Sequence, residues 1–386
     1  MAEPAELEFR FLSAARLWIP QPSGAKKGDL TRKRLLGGRE VDCVAAPGDQ
    51  PVEEPTSQPF DDEVRKTLAR IDPGDRQRAI DSLLAAGIEA NRWTCPDLAP
   101  QLRTLGDAKI KAVFCCAIDL DSALPIQDTL LAEHAMEIAA GVAGLARLLG
   151  ATSRVLALTE DSRSKVVAAT KSAASATGLR LDPLRVEYPR AHPSIAMRQS
   201  LGVRLAPDAL PARAGVIFLD APAALAIGRF FLRRARVTRI PVGIYDRRFN
   251  RSHLAWIPVG MSLGDLLGAL DLSVRPIDLF TGHMLLDQPA HPAEIFTAAS
   301  EYAVFASDHH APVNPDPCVR CGWCTEACPA NIHPAGLLEA AQQQDLAMAD
   351  GFGLRSCIEC GICTHVCPSR LPLLHAIRGM RPRTMR

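Results

Sequence analysis

The sequence predicts an α/β protein in three parts: a mainly parallel sheet covered by helices, a compact mixed domain, and a helical C-terminal domain. Three observations carry that prediction. Between residues 62 and 235, short β-branched runs alternate with helical runs, the rhythm of parallel strands joined by crossover helices. Beyond the cationic FFLRRARVTR the texture turns strand-like, in RVTRIPVGIY and RSHLAWIPVG. Near the end of the chain CVRCGWCTEACP, residues 318–329, returns as CIECGICTHVCP, residues 357–368, with helix-forming sequence between.

Residues 1–37 carry Arg10, Arg16, Lys26, Lys27, Arg32, Lys33 and Arg34 with little periodicity, and are expected to form a basic N-terminal arm. Residues 38–61 are rich in Gly and Pro, which favours a small β-rich module of short strands joined by turns. Within the α/β domain, 62–235, the expected strands are KAVFCCAI, RVLALTE and GVIFLD, each followed by a helix, at 128–149, 161–177 and 222–234. The helix at 128–149 is the best supported. Leu131, Ala135, Ile138, Val142, Leu145 and Leu149 fall on one face, a stripe that reads as core rather than chemistry.

Residues 236–290 form the mixed domain, where SLGDLLGALDL reads as a short helix capped by Ser262 and PIDLFTGHML as a strand. A linker is expected at 291–312, and His283, His309 and His310 read as polar loop residues. The last domain occupies 313–386.

Composition excludes several function classes. With 386 residues, 47% hydrophobic and 23% charged, the chain can build two or three domains around a sizeable core. Forty-four basic against 43 acidic residues leave no nucleic-acid footprint. The most apolar stretch, 215–232, is interrupted by Asp220 and Arg229 and does not read as a membrane span. The N-terminus lacks the apolar run of a secretory signal, so a cytoplasmic location is expected. Eight of the 12 cysteines cluster between 318 and 367, which in such a chain points to metal rather than disulfides. Cys43, Cys95, Cys115 and Cys116 show no ligand spacing and read as small apolar residues.

Both motifs follow C-x2-C-x2-C-x3-C-P, the ferredoxin spacing for [4Fe-4S] clusters. Three close thiolates wrap three corners of one cubane, while the fourth, beyond a turn fixed by proline, reaches the other. The expected ligands are therefore Cys318, Cys321, Cys324 and Cys367 for the first cluster, and Cys357, Cys360, Cys363 and Cys328 for the second. Gly322 and Gly361 let the backbone close around each cube. Zinc, which also uses C-x2-C pairs, would leave ligands to spare. PAGLLEAAQQQDLAMA, between the motifs, opens a helix at Pro334.

The order of parts, with IPVGMSLGDLLGAL followed by CVRCGWCTEACP and CIECGICTHVCPSRLPL, resembles RnfC, a component of the Rnf electron-transport complex, over roughly residues 38–380. The resemblance implies that the α/β domain is Rossmann-like and related to the FMN domain of RnfC and of the complex I flavoprotein. It also implies that 236–290 is a β-grasp domain of the soluble-ligand-binding (SLBB) kind. In that family the α/β domain binds FMN and takes hydride from NADH through a glycine-rich loop and a short acidic motif. Here the loop reads AAGIEANRWTCPDL: Gly87 and Pro96 remain, but Glu89, Asn91, Arg92 and Thr94 stand where glycines are expected. Side chains there obstruct the close backbone approach that a phosphate requires, and Glu89 adds a repelling charge.

The acidic motif becomes Asp119, Leu120, Asp121 and Ser122, while Tyr188 and Pro189 match a Tyr-Pro of the family and Ala191 replaces its glycine. Asp119, Asp121 and Arg92 are thus the candidate FMN or NADH contacts of a domain expected to serve as a docking platform without flavin. The resemblance implies an electron-transfer subunit that relays single electrons through two [4Fe-4S] clusters. Its partners would be other subunits of a redox complex, membrane-bound ones included, with a ferredoxin or flavoprotein as donor or acceptor. The alternative is a flavoenzyme, an NADH dehydrogenase or cobalamin reductase, feeding the same clusters. A third reading makes the clusters structural or redox-sensing and the chain an interaction scaffold.

Overall fold

The computed structural model describes residues 61–88, 98–106, 108–119, 124–185, 187–207, 209–248, 250–269, 277–282, 285, 288–297, 303–308 and 314–381, and the backbone of four short strands before them. Among those four, β1 (Phe9–Arg10) pairs antiparallel with β2 (Ile19–Pro20), and β3 (Leu30–Arg34) with β4 (Glu40–Val44). The β3–β4 pairing joins residues on both sides of the boundary expected at 37.

Helices α1 (Asp61–Ala69), α2 (Arg76–Ala85) and α3 (Leu98–Arg103) lead into the α/β domain. Its elements follow as β5 (Ala112–Ala117), α4 (Ile126–Leu148), β6 (Ser153–Thr159), α5 (Ser164–Thr177), β7 (Arg180–Leu184), α6 (Pro193–Leu201), β8 (Val216–Leu219) and α7 (Ala221–Arg233). All four strands are parallel, in the order β7-β6-β5-β8. The chain moves outward from β5 through β6 to β7, then returns to the other side of β5 with β8. That reversal puts the topological switch point between the ends of β5 and β8.

β5 is buried along its whole length, and its side chains alternate between two cores. Val113, Cys115 and Ala117 face the α4 side, while Phe114, Cys116 and Ile118 face the side closed by Ala196 and Met197 of α6. The stripe on α4 is core, and so is most of the rest of that helix from Ala135 to Leu148. A helix apolar on every side belongs in the middle of a layer. Two glycines allow α7 to press against it: a Cβ at Gly141 would stand 1.9 Å from the Ala224 carbonyl, and one at Gly228 would stand 1.8 Å from that of Glu137.

The mixed domain comprises β9 (Arg239–Asp246), β10 (Arg251–Pro258), α8 (Leu263–Ala269), β11 (Ile277–Thr281), β12 (Gln288–Pro289) and β13 (Ala303–Asp308). Ser262 caps α8, its hydroxyl accepting from the Asp265 amide at 3.0 Å. The sheet order is β10-β9-β13-β11-β12, with β13 parallel to β9 and antiparallel to β11. This corrects the expected linker at 291–312, since β13 lies inside that span and forms the middle of the sheet. Ile240, Val242, Ile244, Val259 and Phe296 join the same hydrophobic core as α4 and α7, so the first two domains share one interior.

The C-terminal domain is helical: α9 (Trp323–Glu326), α10 (Pro334–Gln343), α11 (Leu346–Gly351), α12 (Ile362–His365) and α13 (Leu373–Met380). Pro334 opens α10 as expected. The helix-forming run breaks at Gln344, φ 55°, and restarts at α11 with Asp345 accepting from the Met348 amide at 2.9 Å. A separate core of Ile332, Leu337, Ala340, Leu373 and Ile377 holds the domain together. Among the described residues, no helix is long and apolar enough to cross a membrane.

Candidate cluster-binding site

The two cysteine motifs fold alike, hydrogen bond for hydrogen bond. In the first, Thr325 and Glu326 N–H donate to the Gly322 carbonyl, Cys328 N–H to Thr325 and Asn331 N–H to Cys328; in the second, Thr364 and His365 donate to Gly361, Cys367 to Thr364 and Arg370 to Cys367. The left-handed residues repeat too. Arg320 and Glu359 have φ of 55° and 54°, Gly322 and Gly361 83° and 78°, and Asn331 and Arg370 52° and 55°. Glycine takes up this conformation freely, whereas each non-glycine residue held there costs about 1–2 kcal/mol. A strained backbone kept in duplicate signals a constraint shared by both motifs.

The duplication brings cysteines of different motifs together. Cys328, the last of the first motif, lines one pocket with Cys357, Cys360 and Cys363 of the second, and its walls include Ile332, Leu374 and Ile377. Cys367, the last of the second motif, is drawn toward the first. Just past it, the Ser369 hydroxyl donates to the Pro317 carbonyl at 2.8 Å, the Ser369 carbonyl accepts from Asp316 N–H at 3.0 Å, and Arg370 pairs with Asp316 at 2.5 Å.

The pocket's chemistry suits a bound iron-sulfur group. Burial pushes the Cys360 thiol up to about 11 and the Cys363 thiol up to about 12, with neighbouring cysteines adding to both shifts. Cys357 is raised as well, mainly by burial, although the Glu359 amide donates to its Sγ at 3.3 Å. Four crowded thiols in an apolar wall give up their protons to solvent readily only when a cationic group takes their place on sulfur, and amide N–H groups directed at sulfur match what cluster sulfurs accept. Among the described residues no three His, Cys, Asp or Glu side chains gather as a single-ion site. A ring of four thiols around a pocket fits a group larger than one ion.

The surroundings of the two motifs differ. Cys318 and Cys321 are exposed, with Val319 and Trp323 beside them. The second motif is covered by the α/β domain: Tyr188 O–H donates to the Cys360 carbonyl at 2.5 Å, and burial holds the phenol well above its ordinary range. Glu359 is gripped by Arg378 and Arg381, each at 2.9 Å. Spacing alone gives no sign of Tyr188, Glu359, Arg378 or Arg381 as a group. Tyr188 is marked in the sequence only by its match to a family Tyr-Pro.

Of the candidate flavin contacts, Asp121 and Arg92 lie outside the described residues. Asp119 is at the switch point, its carboxylate accepting from Gln127 and Asp128 N–H at 2.8 and 3.1 Å at the start of α4. Gln127 in turn accepts from Ala221 N–H at 2.9 Å, and buried Asp220 caps α7 by accepting from Ala223 N–H at 2.9 Å. Cys115 and Cys116 are fully buried in β5, while Cys95 lies outside the described residues and Cys43 is described only as backbone of β4.

Residues 317–371 match the 4Fe-4S dicluster domain family. The chain is 27% identical over 286 residues to the RnfC component of the ion-translocating oxidoreductase complex of Edwardsiella ictaluri, an alignment covering 71% of this chain and 35% of that protein. It is 26% identical over 246 residues to the cobalamin reductase PduS of Salmonella typhimurium, covering 58% of this chain and 52% of that one. It therefore spans about a third to a half of the length of these curated relatives. In fold it is similar to a chain in the crystal structure of an NAD+-reducing [NiFe]-hydrogenase in the H2-reduced state, with a TM-score of 0.54, 15% identity, and coverage of 89% of this chain and 68% of that one. The protein resembles RnfC of the ion-translocating oxidoreductase complex over most of its length and carries a C-terminal 4Fe-4S dicluster domain.

Proposed function

We propose that this protein is an iron-sulfur electron-transfer subunit of a multisubunit oxidoreductase, relaying single electrons through two [4Fe-4S] clusters. The observation that carries the reading is the pocket shared by Cys328 and the first three cysteines of the second motif. Cys357, Cys360, Cys363 and Cys328 would hold one cluster, and Cys318, Cys321, Cys324 and Cys367 the other. Bound clusters of this kind supply one-electron chemistry at potentials set by burial, charge and hydrogen bonds to sulfur. The chain's own residues fix the thiols, exclude water with Ile332, Leu374 and Ile377, and shield the second motif beneath Tyr188.

In this reading the α/β domain is a Rossmann-like docking platform without flavin. The polar network at its switch point supports that. The N-termini of α4 and α7 would otherwise offer amide donors and dipole to a phosphate, yet Asp119, Asp220 and Gln127 already occupy donors there. A ligand phosphate would meet carboxylates instead. The strand order β10-β9-β13-β11-β12, with parallel β9 and β13 at its centre, supports a β-grasp reading of the mixed domain. Relatives named as subunits of an ion-translocating oxidoreductase complex support partner subunits for this chain; in this reading those partners would hold it on the cytoplasmic face of the membrane.

The test is iron, acid-labile sulfide and flavin per chain, on protein purified without oxygen. About eight irons and no flavin are expected from two cubanes. Cys328→Ser should then impair the second motif's cluster while leaving the first motif's signal in place. One flavin per chain with NADH oxidation would overturn the platform reading, and a Cys328→Ser protein with both signals intact would overturn the crossed ligand set.

A further inference from the structure

Arg381 is a buried guanidinium at the end of α13, only 6% exposed. One terminal nitrogen pairs with Glu359 at 2.9 Å, and the other donates to the carbonyls of Leu354 at 3.2 Å and Cys357 at 2.6 Å. Its Nε is buried without a hydrogen-bond partner among the described residues. Arg378 holds the second oxygen of Glu359 at 2.9 Å. Two guanidinium groups and one carboxylate therefore leave a positive charge against the backbone of Cys357, and Arg381's charge reaches the thiol itself.

The same positions in the first motif are filled otherwise. Displaced by the repeat length, Glu359, Arg378 and Arg381 correspond to Arg320, Glu339 and Gln342, all exposed. The duplicated backbone has thus acquired a buried ion triad at one motif alone, and the two sites differ in local field while sharing ligands and fold.

We infer that Arg381 is a positioning residue that raises the reduction potential of the cluster held by Cys357, Cys360, Cys363 and Cys328 relative to its twin, with Glu359 tempering the effect. The inference rests on the reading that these cysteines hold a cluster. Each reduction adds one electron, and so one negative charge, inside a ring of four thiolates. In a poorly solvated site a neighbouring cation stabilises the added charge and a neighbouring anion opposes it. Arg381 stabilises the reduced state more than the oxidised one because that state carries the added negative charge, and burial leaves little water to screen the difference.

The experiment is an EPR-monitored titration with dithionite of the full chain holding its clusters, for wild type, Arg381→Gln, Arg381→Lys and Glu359→Gln. Arg381→Gln should lower the potential of one signal and leave the other in place; Glu359→Gln should raise that same signal; Arg381→Lys should return it toward wild type. Shifts of opposite sign are not what loss of packing would give. If Arg381→Gln fails to retain iron, Glu359→Gln still decides the matter. An unmoved potential in Glu359→Gln or in an iron-retaining Arg381→Gln, or shifts of equal size in both signals, would overturn the role of Arg381 while leaving the cluster reading intact. No reducible iron-sulfur signal in the wild type would overturn both.

Discussion

His192 lies where the α/β domain meets the second cysteine motif, its ring nitrogen accepting from the Ser194 amide at 3.3 Å as the cap of α6. Burial pushes its imidazole down to about 4; the charge of Glu359 opposes that and the charge of Arg381 adds to it. A base whose folded pKa lies below its unfolded value of about 6.5 lets the unfolded chain bind the proton first. Its contribution is complete above about pH 6.5 and is lost as pH falls toward about 4. At about 1.4 kcal/mol per pKa unit the ceiling is about 3 kcal/mol. His192→Asn, which keeps an acceptor for the cap, should flatten this acid limb. Thermal midpoints of both proteins at about pH 7.5 and about pH 5.5 check it, and an equal fall in both would show that His192 is not the titrating group. The cysteines were legible because ligand spacing is a local property of sequence. His192, Glu359 and Arg381 were not, and Tyr188 was marked only by its match to a family Tyr-Pro, since these side chains meet only after α6 and α13 have packed.

At the level of elements, the contact between α4 and α7 depends on two missing side chains. Gly141 faces the Ala224 carbonyl and Gly228 that of Glu137, at distances no Cβ could occupy. Gly141→Ala should force the helices apart in the middle of the main core, a form of overpacking that costs about 1–3 kcal/mol or more. A chemical denaturation curve would show it as a lower midpoint; an unchanged midpoint would mean that the helices separate freely and that the crossing is not tight. The strands β5, β6 and β8 could be read in advance because each is a short apolar run buried on both faces, the signature of a central parallel strand. β7 escaped because Pro183 and charged neighbours disguise it, and an edge strand tolerates both. β13 escaped for a different reason. Nothing in AVFASD states that it will insert between β9 and β11, a pairing across some sixty residues that only the finished sheet specifies.

For the whole molecule, the first two domains are welded by one core, whereas the cluster domain has its own and touches the α/β domain through polar contacts. Domains joined in that manner tend to separate unless the contact is well satisfied. Tyr188 supplies such a contact, its hydroxyl donating to the Cys360 carbonyl beside the thiols of the second motif's pocket. Tyr188→Phe keeps the ring and its packing but leaves that carbonyl without its donor, at a cost of about 1–3 kcal/mol if water cannot replace it. The phenol titrates only far above neutrality, so the bond is intact throughout the working range. Hydrogen exchange should therefore quicken at residues 187–193 and 357–363 together in the variant, while α10 and the parallel sheet keep wild-type protection and the iron content is unchanged. Faster exchange confined to one side would mean that Tyr188 stiffens its own loop only. Faster exchange across the entire cluster domain would mean that the domain depends on the α/β platform for its fold, and not merely for its position.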